Sequence, residues 1–165
     1  MMAALYDAEV ANGHFISTGA PTTDFFHQAV RHGRVRIASS AGNFETPVSI
    51  EVALRGTALI GFTTTKAWID PEQLAANAGR GQRQGGAQEA ELWMLIVTPA
   101  ERRRGIGAIL LDRQIASAVG LVGSLDKLVA RCAPASIGAK RLLLKRGFLV
   151  KLSRPDGELL RCSPA

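Results

Sequence analysis

The chain has 165 residues, of which 47% are hydrophobic and 21% are charged. This balance is typical of a globular protein and excludes an intrinsically disordered one. The length suits one domain that spans residues 1–165. The net charge of +6 favours an anionic partner, such as a phosphate-bearing cofactor, an acidic substrate or nucleic acid.

Metal, membrane and secretion patterns are missing from the sequence. Neither the two cysteines, Cys132 and Cys162, nor the three histidines have metal-ligand spacing, so we predict no metal site. No apolar run approaches the roughly 20 residues that span a bilayer. The first residues also lack the basic and apolar regions of a signal peptide. We therefore expect a cytoplasmic protein that does not associate with a membrane.

The N-terminal half predicts one helix and several strands. The first twenty residues are weakly patterned, and only a short strand at residues 14–17 is expected there. A helix follows through about residue 32 and ends at Gly33. Residues 34–38 then predict a strand, and residues 49–54 and 58–65 predict a hairpin.

The C-terminal half begins with a glycine-rich polar stretch at residues 71–87, which predicts a mobile loop. Residues 89–97 predict a strand and residues 105–119 a helix, with Ile106, Ile109 and Leu110 on one face. A strand at residues 127–130 and a second helix that ends near Gly147 come next.

Residues 148–153 and 158–162 predict a closing hairpin around Pro155-Asp156-Gly157. The order of elements predicts an α/β (α+β) fold, in which one mixed, mostly antiparallel sheet has helices on both faces.

The run Arg102-Arg103-Arg104-Gly105-Ile106-Gly107 lies between the strand at residues 89–97 and the helix at residues 105–119. A helix start exposes unpaired N–H groups and the positive end of the helix dipole, so it attracts phosphate. The two glycines let ligand oxygens approach the backbone closely. The run therefore predicts an anion site.

Two common phosphate loops do not fit this run. A Walker A loop requires a lysine after its second glycine, and none is present. A dinucleotide fingerprint requires a third glycine where this chain has Leu110.

The remaining pattern, Arg-x-x-Gly-x-Gly after Leu95-Ile96-Val97-Thr98-Pro99, closely resembles the acyl-CoA signature of the GNAT superfamily of N-acetyltransferases. About thirty residues later, Ser136-Ile137-Gly138-Ala139 and Lys145-Arg146-Gly147-Phe148 resemble that family's second landmark, a helix that ends in Gly-Phe. The resemblance covers about residues 89–148, the expected CoA-binding core.

The resemblance implies a GNAT-like sheet with a splayed central strand, and acetyl-CoA as co-substrate. Ser136 would cap the second helix and bond CoA. The main chain of Leu95, Ile96 and Val97 would pair with the pantetheine arm, and one N–H there would polarise the thioester carbonyl. The pyrophosphate would be held by backbone N–H groups and arginine charge from Arg102, Arg103, Arg104, Gly105, Ile106, Gly107 and Ala108.

The implied reaction is direct attack of a neutral primary amine on the thioester, which requires a group that takes the amine proton. Two carboxylates on the predicted central strand are candidates for this general base. Glu91 stands eleven residues before Arg102 and resembles the histone-type members, whereas Glu89 stands thirteen before it and resembles the ribosomal-protein-type members. The choice between them stays open.

The chain departs from the family at the general acid. Many members carry a tyrosine in the second helix, seven residues after an asparagine, and Leu143 and Ser136 hold these positions here. Cys132 and Ser136 are the nearby alternatives, and departure of the thiolate unaided or through water is another. A catalytically silent CoA-binding module is therefore a second hypothesis.

The acceptor amine cannot be identified from the sequence. The net charge leaves an acidic or tRNA-linked acceptor open, as in the toxin-type members that act on aminoacyl-tRNA. A homodimer is also compatible with the sequence. A third function class, a nucleic-acid-binding protein that uses the arginine run directly, lacks the interleaved aromatic residues of RNA-binding surfaces.

Overall fold

The computed structural model describes residues 1–14, 23–39, 42–68 and 88–163. The predicted loop at residues 71–87 and residues 15–17 of the first predicted strand lie outside these ranges.

In the described part of the chain, seven strands form one sheet in the order β1-β2-β3-β4-β5-β7-β6. Neighbouring strands are antiparallel throughout except for β4 and β5, which are parallel. This arrangement confirms the predicted mixed, mostly antiparallel sheet. The strands are β1 (Arg34–Ser39), β2 (Gly42–Arg55), β3 (Ala58–Trp68), β4 (Glu89–Val97), β5 (Leu128–Cys132), β6 (Phe148–Arg154) and β7 (Gly157–Cys162).

Helices cover both faces of this sheet, as predicted. They are α1 (Met2–Ala11), α2 (Thr23–His32), α3 (Ile106–Val122) and α4 (Ile137–Leu144). On one face, α3 and α4 bury a core that includes Leu92 of β4 and Leu111 of α3. On the other face, α1 and α2 bury an aromatic cluster that includes Tyr6, Phe26 and Phe62. Among the described residues, no helix is long and apolar enough to cross a membrane.

Helix α1 is the main element that the sequence did not predict. Its apolar residues surround the helix and form no stripe, so the helical period is missing from the pattern. Tyr6 is nonetheless buried against the sheet, and Glu9 is buried near the C-terminal end of the helix. Tertiary contacts therefore stabilise this helix, because a helix this short is rarely stable in isolation.

Strand β4 contains a β-bulge at Trp93. Thr65 of β3 pairs with Leu92 and Thr64 pairs with Met94, so Trp93 has no partner on β3. A bulge of this kind bends the strand and disturbs its hydrogen-bond ladder. The bend matters because it falls where β4 stops pairing with β5 on its other side.

The buried Gln114 of α3 satisfies the backbone at this bulge. Its Nε2 donates to the carbonyl oxygen of Thr64 at 2.5 Å and to that of Met94 at 3.4 Å. The hydroxyl of Thr63 also donates to the Met94 carbonyl, at 2.6 Å. The sequence pattern predicted an apolar inner face for this helix, but the structure buries Gln114 and leaves Ile109 exposed. The bulge is therefore fastened to the helix that follows β4.

Replacing Gln114 with leucine should destabilise the protein by about 1–3 kcal/mol, because a buried carbonyl loses its donor. Urea unfolding of Gln114→Leu would measure the loss, and Gln88→Leu at an exposed position is the matched control. Equal stability of the two variants would contradict a role for Gln114 at the bulge.

Candidate functional site

The central strands diverge and leave an open cleft. Parallel pairing between β4 and β5 covers Ala90 to Leu92 on β4 and Leu128 to Ala130 on β5, and then stops. β4 continues to Val97, and β5 continues to Cys132 while paired with β7. The edge of β4 beyond Leu92 therefore faces no strand on the β5 side. This is the splayed central strand that the sequence resemblance implied.

A cavity of about 820 Å³ occupies the cleft. Leu92 and Ala130 line it where the two strands part, and Gly105 and Gly107 line it at the start of α3. The opposite wall comes from the beginning of α4, including Ser136. The cavity therefore joins the predicted anion site to the point where the strands diverge.

Five consecutive backbone N–H groups at the start of α3 form what we call the amide nest, residues 103–107. Within the described residues, none of these groups donates to an acceptor, whereas the N–H groups of Arg102 and Ala108 bond to Pro99 and Gly105. Arg103 and Gly105 have positive φ, 65° and 81°. Successive turns of this kind gather N–H groups around a concave anion site. The nest also carries the positive end of a 17-residue helix.

The three arginines of the run differ in what their side chains contact. Arg102 folds back onto β4, where its Nε donates to the Val97 carbonyl at 3.0 Å. Arg104 lies 3.5 Å from Glu101, whose carboxylate also binds Arg55. The exposed Arg103 guanidinium has no ion-pair partner in the described part of the chain, so it is the arginine whose charge remains available to a ligand.

Glu91 is buried, with 2% of its surface exposed, and both carboxylate oxygens bind cations. Its Oε1 lies 2.9 Å from Nη1 of Arg131, and its Oε2 lies 3.6 Å from Nζ of Lys66. Arg131 lines the cavity, whereas Glu91 is not among the described residues that do so. The carboxylate therefore lies directly behind an arginine of the cavity wall.

Lys66 joins this cluster to Trp93. Its Nζ lies 4.7 Å from the centre of the Trp93 ring, which in turn packs edge-on against Phe25 of α2. Burial lowers the pKa of the Lys66 ammonium, and the Glu91 carboxylate opposes that shift. Because Trp93 lines the cavity, the bulge presents an aromatic ring beside the buried charge cluster.

The second candidate base, Glu89, is less buried. It forms an ion pair with Arg161 of β7, which also donates to the Asp126 carbonyl at 3.1 Å. Glu89 likewise is not among the described residues that line the cavity. The structure thus brings both glutamates to the sheet beside the cleft, each paired with an arginine.

The residue in the tyrosine position, the tyrosine of the described chain and the candidate acid Cys132 occupy different surroundings. Leu143 is buried in the core between α4 and the sheet. Tyr6 lies in the aromatic cluster on the opposite face, outside the described cavity wall, and burial raises the pKa of its hydroxyl. Cys132 does line the cavity, but burial raises the pKa of its thiol to about 11. Its proton would move uphill to an ordinary alkyl thiolate, whose pKa is about 8.5.

The structure also brings Glu9 and His14 to the cavity, and the sequence analysis missed both in that role. Glu9 Oε2 lies 2.5 Å from Nδ1 of His14, and Glu9 Oε1 lies 2.5 Å from Nη2 of Arg102. Ser136 was expected to cap α4 with its side chain, but that side chain makes no cap hydrogen bond and its hydroxyl instead donates to the carbonyl of His14. No local pattern places these residues at the cavity, because Arg102 and Ser136, which hold them there, lie far away in the sequence.

The comparisons with known proteins agree with this geometry. The Acetyltransferase (GNAT) family model matches residues 22–148. No curated protein matches the chain.

Solved structures are similar to the chain at low identity. The GNAT domain of S. lividans PAT is 18% identical, with a TM-score of 0.63 over 96% of this chain and 81% of that one. The protein yncA from Salmonella typhimurium, solved with acetyl-CoA, is 16% identical, with a TM-score of 0.62 over 99% and 88%.

The PaiA N-acetyltransferase from Thermoplasma acidophilum, solved with coenzyme A, is 20% identical, with a TM-score of 0.50 over 71% of this chain. The chain spans 61% of the length of that protein, which is less than two thirds. At these low identities, the similarity to the solved structures shows only that this chain shares their fold.

The raised pKa of the Cys132 thiol, which lines the cavity, predicts that this thiol is alkylated slowly. With a pKa of about 11, roughly one thiol in a thousand is ionised at pH 8, and the thiolate is the reactive form. In Cys162→Ser, iodoacetamide should label Cys132 slowly at pH 8 and much faster in urea, where the thiol regains its ordinary pKa. Rapid labelling of the folded variant would contradict this assignment.

Proposed function

The chain belongs to the GNAT family of acetyltransferases, and from that premise we propose that it transfers the acetyl group of acetyl-CoA to a primary amine. The observation that best supports this proposal is the amide nest at the open end of the β4–β5 cleft. Two proteins of similar fold, yncA and the Thermoplasma PaiA enzyme, are solved with acetyl-CoA and coenzyme A.

The residues of the nest suit a pyrophosphate. Its unpaired N–H groups supply donors, and the Arg103 side chain supplies a charge that no described residue neutralises. A Cβ at Gly105 would meet nothing within 4 Å, so the space beside this backbone is open to a ligand. Unpaired N–H donors, positive charge and open space beside the backbone are what phosphate binding at a helix N-terminus requires.

The open edge of β4 suits the pantetheine arm. Beyond Leu92 the main chain of Leu95, Ile96 and Val97 has no strand beside it on the β5 side, so an extended amide-containing chain can pair there. A backbone N–H of this edge would also stabilise negative charge on the thioester oxygen as the amine attacks. Ser136 lies across the cavity at the start of α4.

The chemistry needs a base, and Glu91 or Glu89 would serve. Acetyl-CoA supplies an acetyl group that is already activated as a thioester. The amine must lose a proton to attack it. The contact of Glu91 with Arg131, a residue of the cavity wall, favours Glu91, whereas Glu89 lies further from the point where the strands diverge. Arg131 and Lys66 hold the Glu91 carboxylate in one orientation.

One observation favours a second candidate function, a CoA-binding module without catalysis. Leu143 fills the position where many family members carry the tyrosine, and its side chain is buried in the core. A leucine cannot donate a proton. A silent module predicts that acetyl-CoA raises the melting temperature but that no amine in a panel releases CoA thiol.

Two glycines of α3 offer a matched test of the nest. Gly105 before the helix and Gly123 after it have nearly the same backbone angles, φ 81° and 82° with ψ −9°, and both lie in open space. Gly105→Asp should weaken CoA binding by more than about 100-fold, since like charges brought together cost several kcal/mol.

Gly123→Asp carries the same strain and the same charge at the far end of the helix. It should bind CoA with wild-type affinity by calorimetry. Equal affinity of the two variants would contradict the nest as the pyrophosphate site.

Glu91→Gln and Glu89→Gln, made separately, should identify the base. We expect the true base variant to lose about 10²–10⁴ in kcat at saturating acetyl-CoA, because a proton acceptor is removed. Calorimetry should show unchanged acetyl-CoA affinity. The melting temperature reports any loss of stability in Glu91→Gln, where Lys66 and Arg131 lose the charge of their carboxylate partner. If the wild type acetylates an amine and both variants keep its rate, neither glutamate is the base.

A further inference from the structure

The end of α1 bridges the mouth of the cleft. Glu9 is bound by Arg102, which follows β4, and the carbonyl of His14 is bound by Ser136, which follows β5. We call residues 9–14 the bridging segment, since it contacts both diverging sides. Glu9 and His14 both line the cavity. A residue of this segment therefore lies within reach of a ligand in the cleft.

The contacts within the segment fix the orientation of the His14 ring. A carboxylate oxygen can only accept, so the 2.5 Å contact means that Nδ1 of His14 carries the proton and donates to Glu9. The other oxygen of Glu9 is held by Arg102 at 2.5 Å. Nε2 has no hydrogen-bond partner in the described part of the chain, and the side chain keeps 29% of its surface exposed.

A carboxylate that holds Nδ1–H orients an imidazole and stabilises the imidazolium that forms during proton transfer. The same arrangement here leaves Nε2 as the nitrogen that exchanges protons with the cavity. Neither Leu143 nor Cys132 fits this task, since Leu143 has no proton to donate and the Cys132 thiol holds its proton too tightly.

We propose that His14, oriented by Glu9, is the catalytic acid that protonates the departing CoA thiolate, a role that rests on the acetyl transfer proposed above. The bond between the acetyl carbon and sulfur breaks, and its electron pair stays on sulfur. The imidazolium form of His14 carries a proton on Nε2 as well as on Nδ1, and sulfur takes the Nε2 proton, which leaves His14 neutral. The amine proton passes to the glutamate base and then to water, from which His14 recovers a proton, so the products are the amide and CoA thiol.

The first test needs no acceptor amine. The chain has three histidines, and His27 and His32 are both exposed on α2, so ¹⁵N-histidine spectra can be assigned with His27→Gln and His32→Gln. CoA should shift the backbone amides of Gly105 and Gly107 and the ring nitrogens of His14. Desulfo-CoA, which lacks the sulfur, should shift the amides but leave Nε2 near its ligand-free position.

The outcomes separate the two proposals. If the glycine amides respond to CoA but His14 responds equally to CoA and desulfo-CoA, His14 does not contact the sulfur and the inference is wrong. If neither signal responds to CoA, the proposed function fails and the inference falls with it.

The second test measures catalysis of an amine that the wild type acetylates. His14→Gln should lower kcat by about 10²-fold or more with unchanged acetyl-CoA affinity, as expected for loss of a proton donor. Added imidazole should restore part of the rate of His14→Ala, which a purely structural role would not allow. Glu9→Gln should lower kcat less, and His27→Gln should match the wild type. A His14→Gln rate within twofold of wild type would overturn the proposal.

Discussion

Strands β4 and β5 are paired only as far as Leu92 and Ala130, and every feature of the site depends on this limit. A parallel ladder that continued would close the sheet and leave its hydrogen-bonding groups satisfied. The bulge at Trp93 bends β4 at this point, and Gln114 and Thr63 stabilise the distorted backbone. The protein thus keeps one open strand edge in the middle of its sheet.

The ion pairs around the arginine run leave positive charge at the amide nest. Two of the three arginines beside α3 form ion pairs with buried glutamates, Arg102 with Glu9 and Arg104 with Glu101, which also binds Arg55. These pairs tie the loop to α1 and to β2, and they leave Arg103 and the backbone amides as the positive surface at the cleft. A dense basic sequence therefore becomes a shaped site of backbone donors with one available guanidinium.

The two sides of the cleft carry different clusters of ionisable groups. Beside the point of divergence, Glu91 is buried between Lys66 and Arg131, with Trp93 against the lysine. Across the mouth, Glu9 holds His14 with one oxygen and Arg102 with the other. Buried carboxylates require partners of this kind, because an unpaired charge in a protein interior is costly. The same ion pairs that fasten α1 to the sheet also orient the groups at the cavity.

The sequence by itself predicted the strand at residues 89–97, the helix that starts at residue 105 and the mixed sheet, and it marked the turn between strand and helix as a candidate anion site. These follow from local patterns: β-branched and apolar runs, glycines at helix ends, and exposed N–H groups where a helix begins. The tertiary structure alone decided the helix α1, the burial of Gln114 and the meeting of Glu9, His14 and Arg102. The physical reason is that these features depend on contacts between residues far apart in the chain, and a polar side chain shows no sign in the sequence of the distant partner that will bury it.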